Sequence, residues 1–215
     1  MKKFLVGLFI SLSAIFLFAF ASYNFSRNAL LSQKIKNTNE TEIIVHFTHG
    51  SVTQKGCSDK RSSLGGKWGG HVAIEIDGFI YGFGRRKNPV HIFPSKNYNA
   101  IFTKESRKNW EGYSVNDKIT DIILPITNEQ KYNLKNLCEQ YCDNTPYDYA
   151  TFGKRCTYSA YSLLVSSKIF KPQSELSIHS ITAYPALFRK IFVEWAQENN
   201  LKIVRKEGIA CREWE

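Results

Sequence analysis

Apolar and polar positions alternate most clearly between His71 and Gly84. Val72, Ile74 and Ile76 alternate with His71, Ala73 and Glu75, and Phe79, Tyr81 and Phe83 continue the pattern beyond Asp77-Gly78. A period of two marks strands, and Asp-Gly between two such runs predicts a type I′ hairpin turn. In that register Val72, Ile74, Ile76, Phe79, Tyr81 and Phe83 share the core face. His71, Ala73 and Glu75 lie on the other face beside Gly82 and Gly84. Glycines opposite a histidine leave room for another backbone or a ligand. Further strands are expected over Glu42–Gly50, Pro89–Pro94, Ile119–Ile126 and Lys202–Arg205. The Gly-, Ser- and Lys-rich stretch between Gly50 and His71 reads as a loop of about 20 residues, long enough to carry function.

Three helices are predicted. Thr127-Asn128-Glu129-Gln130 is a capping box that opens a helix to about Asp143, with Leu134, Leu137, Cys138, Tyr141 and Cys142 on one face. A second helix runs from Cys156 to Lys168. A third spans roughly Pro185–Asn199, with Leu187, Ile191 and Trp195 in line and Glu194 and Glu198 outward. Neither internal repeats nor low-complexity segments interrupt this pattern.

The N-terminal pattern is different in kind. Met1-Lys2-Lys3 precedes an uncharged apolar run from Phe4 to Ala21 that ends in Ala19-Phe20-Ala21, an A-x-A cleavage pattern. Residues 1–21 therefore read as a secretory signal peptide, with an uncleaved membrane anchor as the alternative. Residues 22–40 read as a polar linker and residues 41–215 as one domain. The chain is expected outside the cytoplasm, in the periplasm or extracellular space, either released or held at the inner membrane. The formal charge is +10, and cleavage after Ala21 removes Lys2 and Lys3 to leave +8. The basic residues are scattered and form no nucleic-acid motif, so nucleic acid is not an expected partner. A positive surface favours anionic lipid or cell-wall polymer instead. Oligomeric state is not readable from the sequence.

Five cysteines in an exported chain leave an odd thiol. Cys156 suits that role: it would open its helix, where backbone N–H groups favour a thiolate, and it follows the cationic Gly153-Lys154-Arg155. His71, on a strand after Gly69-Gly70, is the candidate base. For the group that orients the imidazole, Glu75 shares the His71 face but stands about 13 Å along the strand, too far to bond. His91 is better placed if Pro89–Pro94 pairs beside the hairpin, with Asn88 and Asp77 as weaker options. Tyr147, nine residues before Cys156, reads either as a substrate contact or as packing against the Cys156 helix. His46, His49 and Cys57 lack the second ligand pair of a usual zinc site, so neither a metal nor a cofactor is expected. Cys138 and Cys142 fall on the apolar face of their helix and suit core packing. His179 lies in a polar loop and carries no assignment.

The histidine on its strand (GGHVAIEIDGFIYGF), the Pro146-Tyr147-Asp148 lead and the cysteine opening a helix together resemble the circularly permuted NlpC-type papain-like proteins, a group similar to the lecithin:retinol acyltransferase family. His71 precedes Cys156, which is the permuted order. The likeness covers Glu42 to Lys168, roughly three fifths of the chain. Thr157-Tyr158 follows the cysteine where a small residue such as serine is common. The resemblance implies an α+β, papain-like fold, with a helix bearing the nucleophile packed on an antiparallel sheet bearing the base. It implies Cys156 as nucleophile, His71 as base and His91 as third polar residue. The expected function is that of an exported cysteine peptidase or amidase acting on a cell-wall peptide, or an esterase acting on an acyl lipid. The alternative is a catalytically inactive papain-like module that binds cell-wall or membrane components.

Overall fold

A computed structural model describes residue 17 and residues 19–35, 40–61, 65–86 and 90–215. Most of the apolar run that begins at Phe4 lies outside the described residues, as does Asn88. Among the described residues no helix is long and apolar enough to cross a membrane.

The chain forms an α+β fold around a six-stranded antiparallel sheet. Its strands are β1 (Thr41–His49), β3 (Gly70–Ile76), β4 (Phe79–Arg85), β5 (Ala100–Ser106), β6 (Ile119–Ile126) and β7 (Ile203–Lys206), in the order β5-β4-β3-β1-β6-β7. A small second sheet pairs β2 (Ser51–Thr53) with β8 (Arg212–Trp214), and the adjoining loops are joined by a Cys57–Cys211 disulfide. The β3–β4 hairpin takes the expected register, with Ile74 opposite Tyr81 and Ile76 opposite Phe79. Asp77 and Gly78 both have positive φ, 52° and 76°, as a type I′ turn requires.

Each face of the sheet is covered differently. Val72, Ile74, Ile76, Tyr81 and Phe83 join Val45, Phe47, Ile122 and Leu124 in the main core. That core lies under α3 (Asn128–Asp143), α4 (Cys156–Ser166) and α6 (Pro185–Glu198). Phe47 meets Phe188 and Phe192 of α6 as tilted ring pairs at separations of 5.8 and 5.5 Å, within the range of packed aromatic pairs. On the opposite face Ala73, Ile80 and Ile119 form a smaller cluster with Trp110 of α2 (Arg107–Tyr113). The helix α3 starts with the expected capping box: Thr127 Oγ1 accepts from Gln130 N, and Gln130 Oε1 accepts from Thr127 N.

Three expectations are corrected. Of the expected strand over Pro89–Pro94, the described residues 90–94 form none; Pro94 lacks a ladder donor, and His91 makes an isolated bridge to Ala150. The place beside the hairpin belongs to β5, which pairs along all of β4. This edge strand carries exposed polar residues such as Thr103 and Lys104, which hid it from a search for apolar runs. Second, residues 22–31, read as linker, are helical within α1 (residues 19–31) and belong to the fold. Leu30 is buried in the main core, Arg27 pairs with Glu194, and Trp195 Nε1 donates to the Gln33 carbonyl at 2.8 Å. Third, α5 (Glu175–Ile181) occupies a stretch read as polar loop. Ser174 caps it, Ile178 and Ile181 are buried, and His179 stacks on Tyr158 at 4.6 Å.

Candidate active site

Cys156 is the first residue of α4, and no side chain caps that helix. Its first-turn N–H groups are therefore free to face a negative charge. The helix packs on β3 and β4. The β3–β4 ladder ends at the Ala73–Gly82 pair, so the Val72 N–H beyond it is open to another acceptor. The Cys156 sulfur lies there, close enough to the N–H groups of Val72 and Thr157 and to the His71 imidazole for each to favour its negative charge. The two stretches are 85 positions apart in the chain and meet only through this packing of α4 on β3.

Electrostatics at the pair run against burial. Cys156 is 2 % exposed, and burial by itself drives a thiol toward the neutral form. The His71 hydrogen bond, its positive charge and the two backbone donors more than offset this and hold the thiol below its ordinary range. Burial likewise disfavours a charged His71, but the hydrogen bond to Cys156, the sulfur's negative charge and Glu105 raise its pKa. The two shifts act together, each favouring a thiolate–imidazolium pair.

Close approach of the ring depends on two glycines. A Cβ at Gly82 would lie 3.1 Å from His71 Nε2, so glycine here lets the imidazole approach β4 closely. Gly70, with φ of 109°, turns the chain into β3 where a Cβ would meet the Thr48 carbonyl at 2.2 Å.

The remaining sequence-based candidates are distributed as follows. Among the described residues no hydrogen bond or ion pair joins His91 to His71. His91 Nδ1 bonds Asp148 Oδ2 at 2.6 Å, and Asp148 also accepts from the backbone N–H groups of Ser95 and Asn99. His91 therefore pins the loop between β4 and β5 instead of orienting the base, because β5 and not Pro89–Pro94 adjoins the hairpin. Asp77 pairs with Lys131 and Lys135, and Glu75 pairs with His46 and Arg107. Tyr147 packs against the Cys156 helix and β4: its hydroxyl bonds Ser159 Oγ at 2.9 Å, and its ring meets Phe83 edge-on at 5.0 Å. Among the described residues no group of three or more His, Cys, Asp or Glu side chains is arranged to hold a metal. Cys57 is in the disulfide and His46 lies between Asp121 and Glu75. Cys138 and Cys142 are free thiols on α3; burial raises the pKa of both, Cys142 to about 11.

Two participants escaped the sequence reading. Tyr149, buried, lies beside the Cys156 sulfur, and burial followed by the sulfur's negative charge pushes its phenol up so that it keeps its proton. It stands two positions beyond Tyr147 in the same PYDY segment, and nothing local distinguishes one tyrosine from the other. Glu105 reaches His71 through its charge, from the edge strand that the pattern did not reveal. Exposed aromatics stand on the segments leading into the site. Trp68 precedes His71 by three residues, while Phe93 and Phe152 stack at 5.6 Å on the loops before β5 and before α4.

Comparison with protein families, with curated proteins and with solved structures finds no match for this chain.

Proposed function

We propose that this protein is an exported thiol hydrolase of papain-like type, with Cys156 as nucleophile and His71 as acid and base. The observation that carries the reading is the meeting of the Cys156 sulfur and the His71 imidazole at an uncapped helix start, where each favours the charged form of the other despite nearly complete burial of the cysteine. The thiolate attacks the substrate carbonyl carbon, and the first-turn N–H groups of α4 are donors for the developing oxyanion. His71 gives its proton to the leaving amine or alcohol as the carbon–nitrogen or carbon–oxygen bond breaks, leaving a thioester on Cys156. Water then attacks that thioester while His71 takes a proton, and the acid product departs with the thiolate restored. Export and the positive formal charge favour an amide in a cell-wall peptide, with an acyl-lipid ester as the second substrate class.

A second reading, an inactive papain-like binding module, draws on the 2 % exposure of Cys156, which narrows the approach of a bulky carbonyl. An activated acetyl ester separates the two. The hydrolase should show a burst of one equivalent of product with an acetyl group on Cys156, and no burst in Cys156→Ala. Absence of any acyl-enzyme from wild-type protein, with the fold intact, leaves only the binding module.

A further inference from the structure

Away from the thiol, a cleft of about 590 Å³ opens between α1, α6 and the ends of β1 and β7. Four cations line it, Arg27, Arg189, Lys190 and Arg205, against the two carboxylates of Glu194 and Glu215. Arg27 is matched by Glu194, and Arg189 Nη2 by Glu215 Oε2. Lys190 and Arg205 are exposed and form no ion pair among the described residues, which leaves the cleft with surplus positive charge. Arg189 is only 5 % exposed, and its Nη1 is buried with no hydrogen-bond partner. A buried guanidinium N–H without an acceptor is costly, and such groups commonly mark a place that an ion or ligand completes. His49 at the cleft floor reports the same field. Burial first, then Arg189, Lys118 and Arg205, push its pKa down to about 3, so it stays neutral and adds no competing charge at neutral pH.

We infer that this cleft is a binding site for a phosphoryl oxyanion, held by Arg189, Lys190 and Arg205. A single carboxylate is already supplied by Glu215. What remains is a pair of unmatched cations and an unsatisfied guanidinium edge, which suits a group with several oxygens and more than one negative charge. Arg27 of α1 lies six positions beyond the apolar run that ends at Ala21, so a phospholipid headgroup is one source and a soluble phosphate the other. The site is separate from Cys156 and does not depend on the hydrolase reading.

The test uses the full chain in zwitterionic detergent and follows its unfolding midpoint in inorganic phosphate against chloride at equal ionic strength. Phosphate should raise the midpoint, and the apparent affinity should weaken by about tenfold in Lys190→Gln/Arg205→Gln, both positions being exposed and tolerant. Glu215→Gln should act in the opposite direction and tighten binding, because it removes the carboxylate that competes for Arg189. Competition of the phosphate effect by phosphatidylglycerol, and not by phosphatidylcholine, assigns the headgroup; no competition assigns a soluble phosphate. Equal midpoints in phosphate and chloride, or an undiminished phosphate effect in the double variant, would overturn the inference.

Discussion

Replacing His71 by Gln tests the central pair most directly. The substitution keeps a polar side chain over Gly82 but removes the charge that holds the Cys156 thiol down. A cysteine at the ordinary value of about 8.5 is about 3 % ionised at pH 7, so a fully ionised sulfur reacts up to about 30-fold faster there. Without His71, burial acts on Cys156 against the Val72 and Thr157 N–H groups and the Tyr149 hydroxyl, and the thiol should rise past the ordinary range. The loss at pH 7 should therefore be about 30-fold or more. The assay is iodoacetamide alkylation with peptide mapping, taken as the rate at pH 7 divided by the rate at about pH 10. This ratio cancels the restricted access to a sulfur 2 % exposed and the higher intrinsic reactivity of a more basic thiolate. Cys138 and Cys142, both with raised pKa, stay protonated at pH 7 and do not confuse the signal. A His71→Gln ratio within about twofold of wild type would refute the reasoning, because the imidazole would then have no hold on the sulfur.

Two further outcomes follow from the geometry. Gly82→Ala places a Cβ 3.1 Å from His71 Nε2 and should move the ring by a few tenths of an ångström. The same alkylation ratio should fall by about threefold to tenfold while stability changes by less than about 1 kcal/mol, and an unchanged ratio would show that ring placement is not limiting. His46, 2 % exposed, bonds Asp121 at 2.7 Å through Nδ1 and Glu75 at 2.9 Å through Nε2, so only the imidazolium can donate to both carboxylates. Although burial opposes charging it, its bonds to Asp121 and Glu75 raise its folded-state pKa. Its stabilisation is therefore complete below the ordinary histidine value of about 6.5 and is lost as pH rises through the raised folded value. His46→Ala should cost about 3 kcal/mol at pH 6, the low end for a broken buried pair because Arg107 still neutralises Glu75, and should flatten the decline. Urea unfolding of both proteins across pH 6 to 9 measures this, and parallel curves would contradict it.

Local physics made much of this molecule legible in advance. The Asp77-Gly78 turn, the alternation around it, the Thr127 capping box and the cysteine at a helix start are each specified within a dozen residues. Backbone sterics, side-chain period and cap hydrogen bonds act at that range. What the sequence could not determine is what depends on which segments become neighbours. β5 carries exposed polar residues on an edge, so its membership of the sheet is set by pairing with β4 and not by its own hydrophobicity. α1 is a helix whose Leu30 is buried only by the folded domain and whose Arg27 finds its partner, Glu194, only there. The assignment of Asp148 to His91, of Tyr149 rather than Tyr147 to the sulfur, and of Glu105 to the field at His71 all follow from where α4 lands on the sheet. Hydrogen bonds and charge pairs act over a few ångströms, and separation along the chain says almost nothing about separation in space. Residue types and local elements were therefore written in the sequence, whereas the pairing of sulfur with imidazole was decided by tertiary packing.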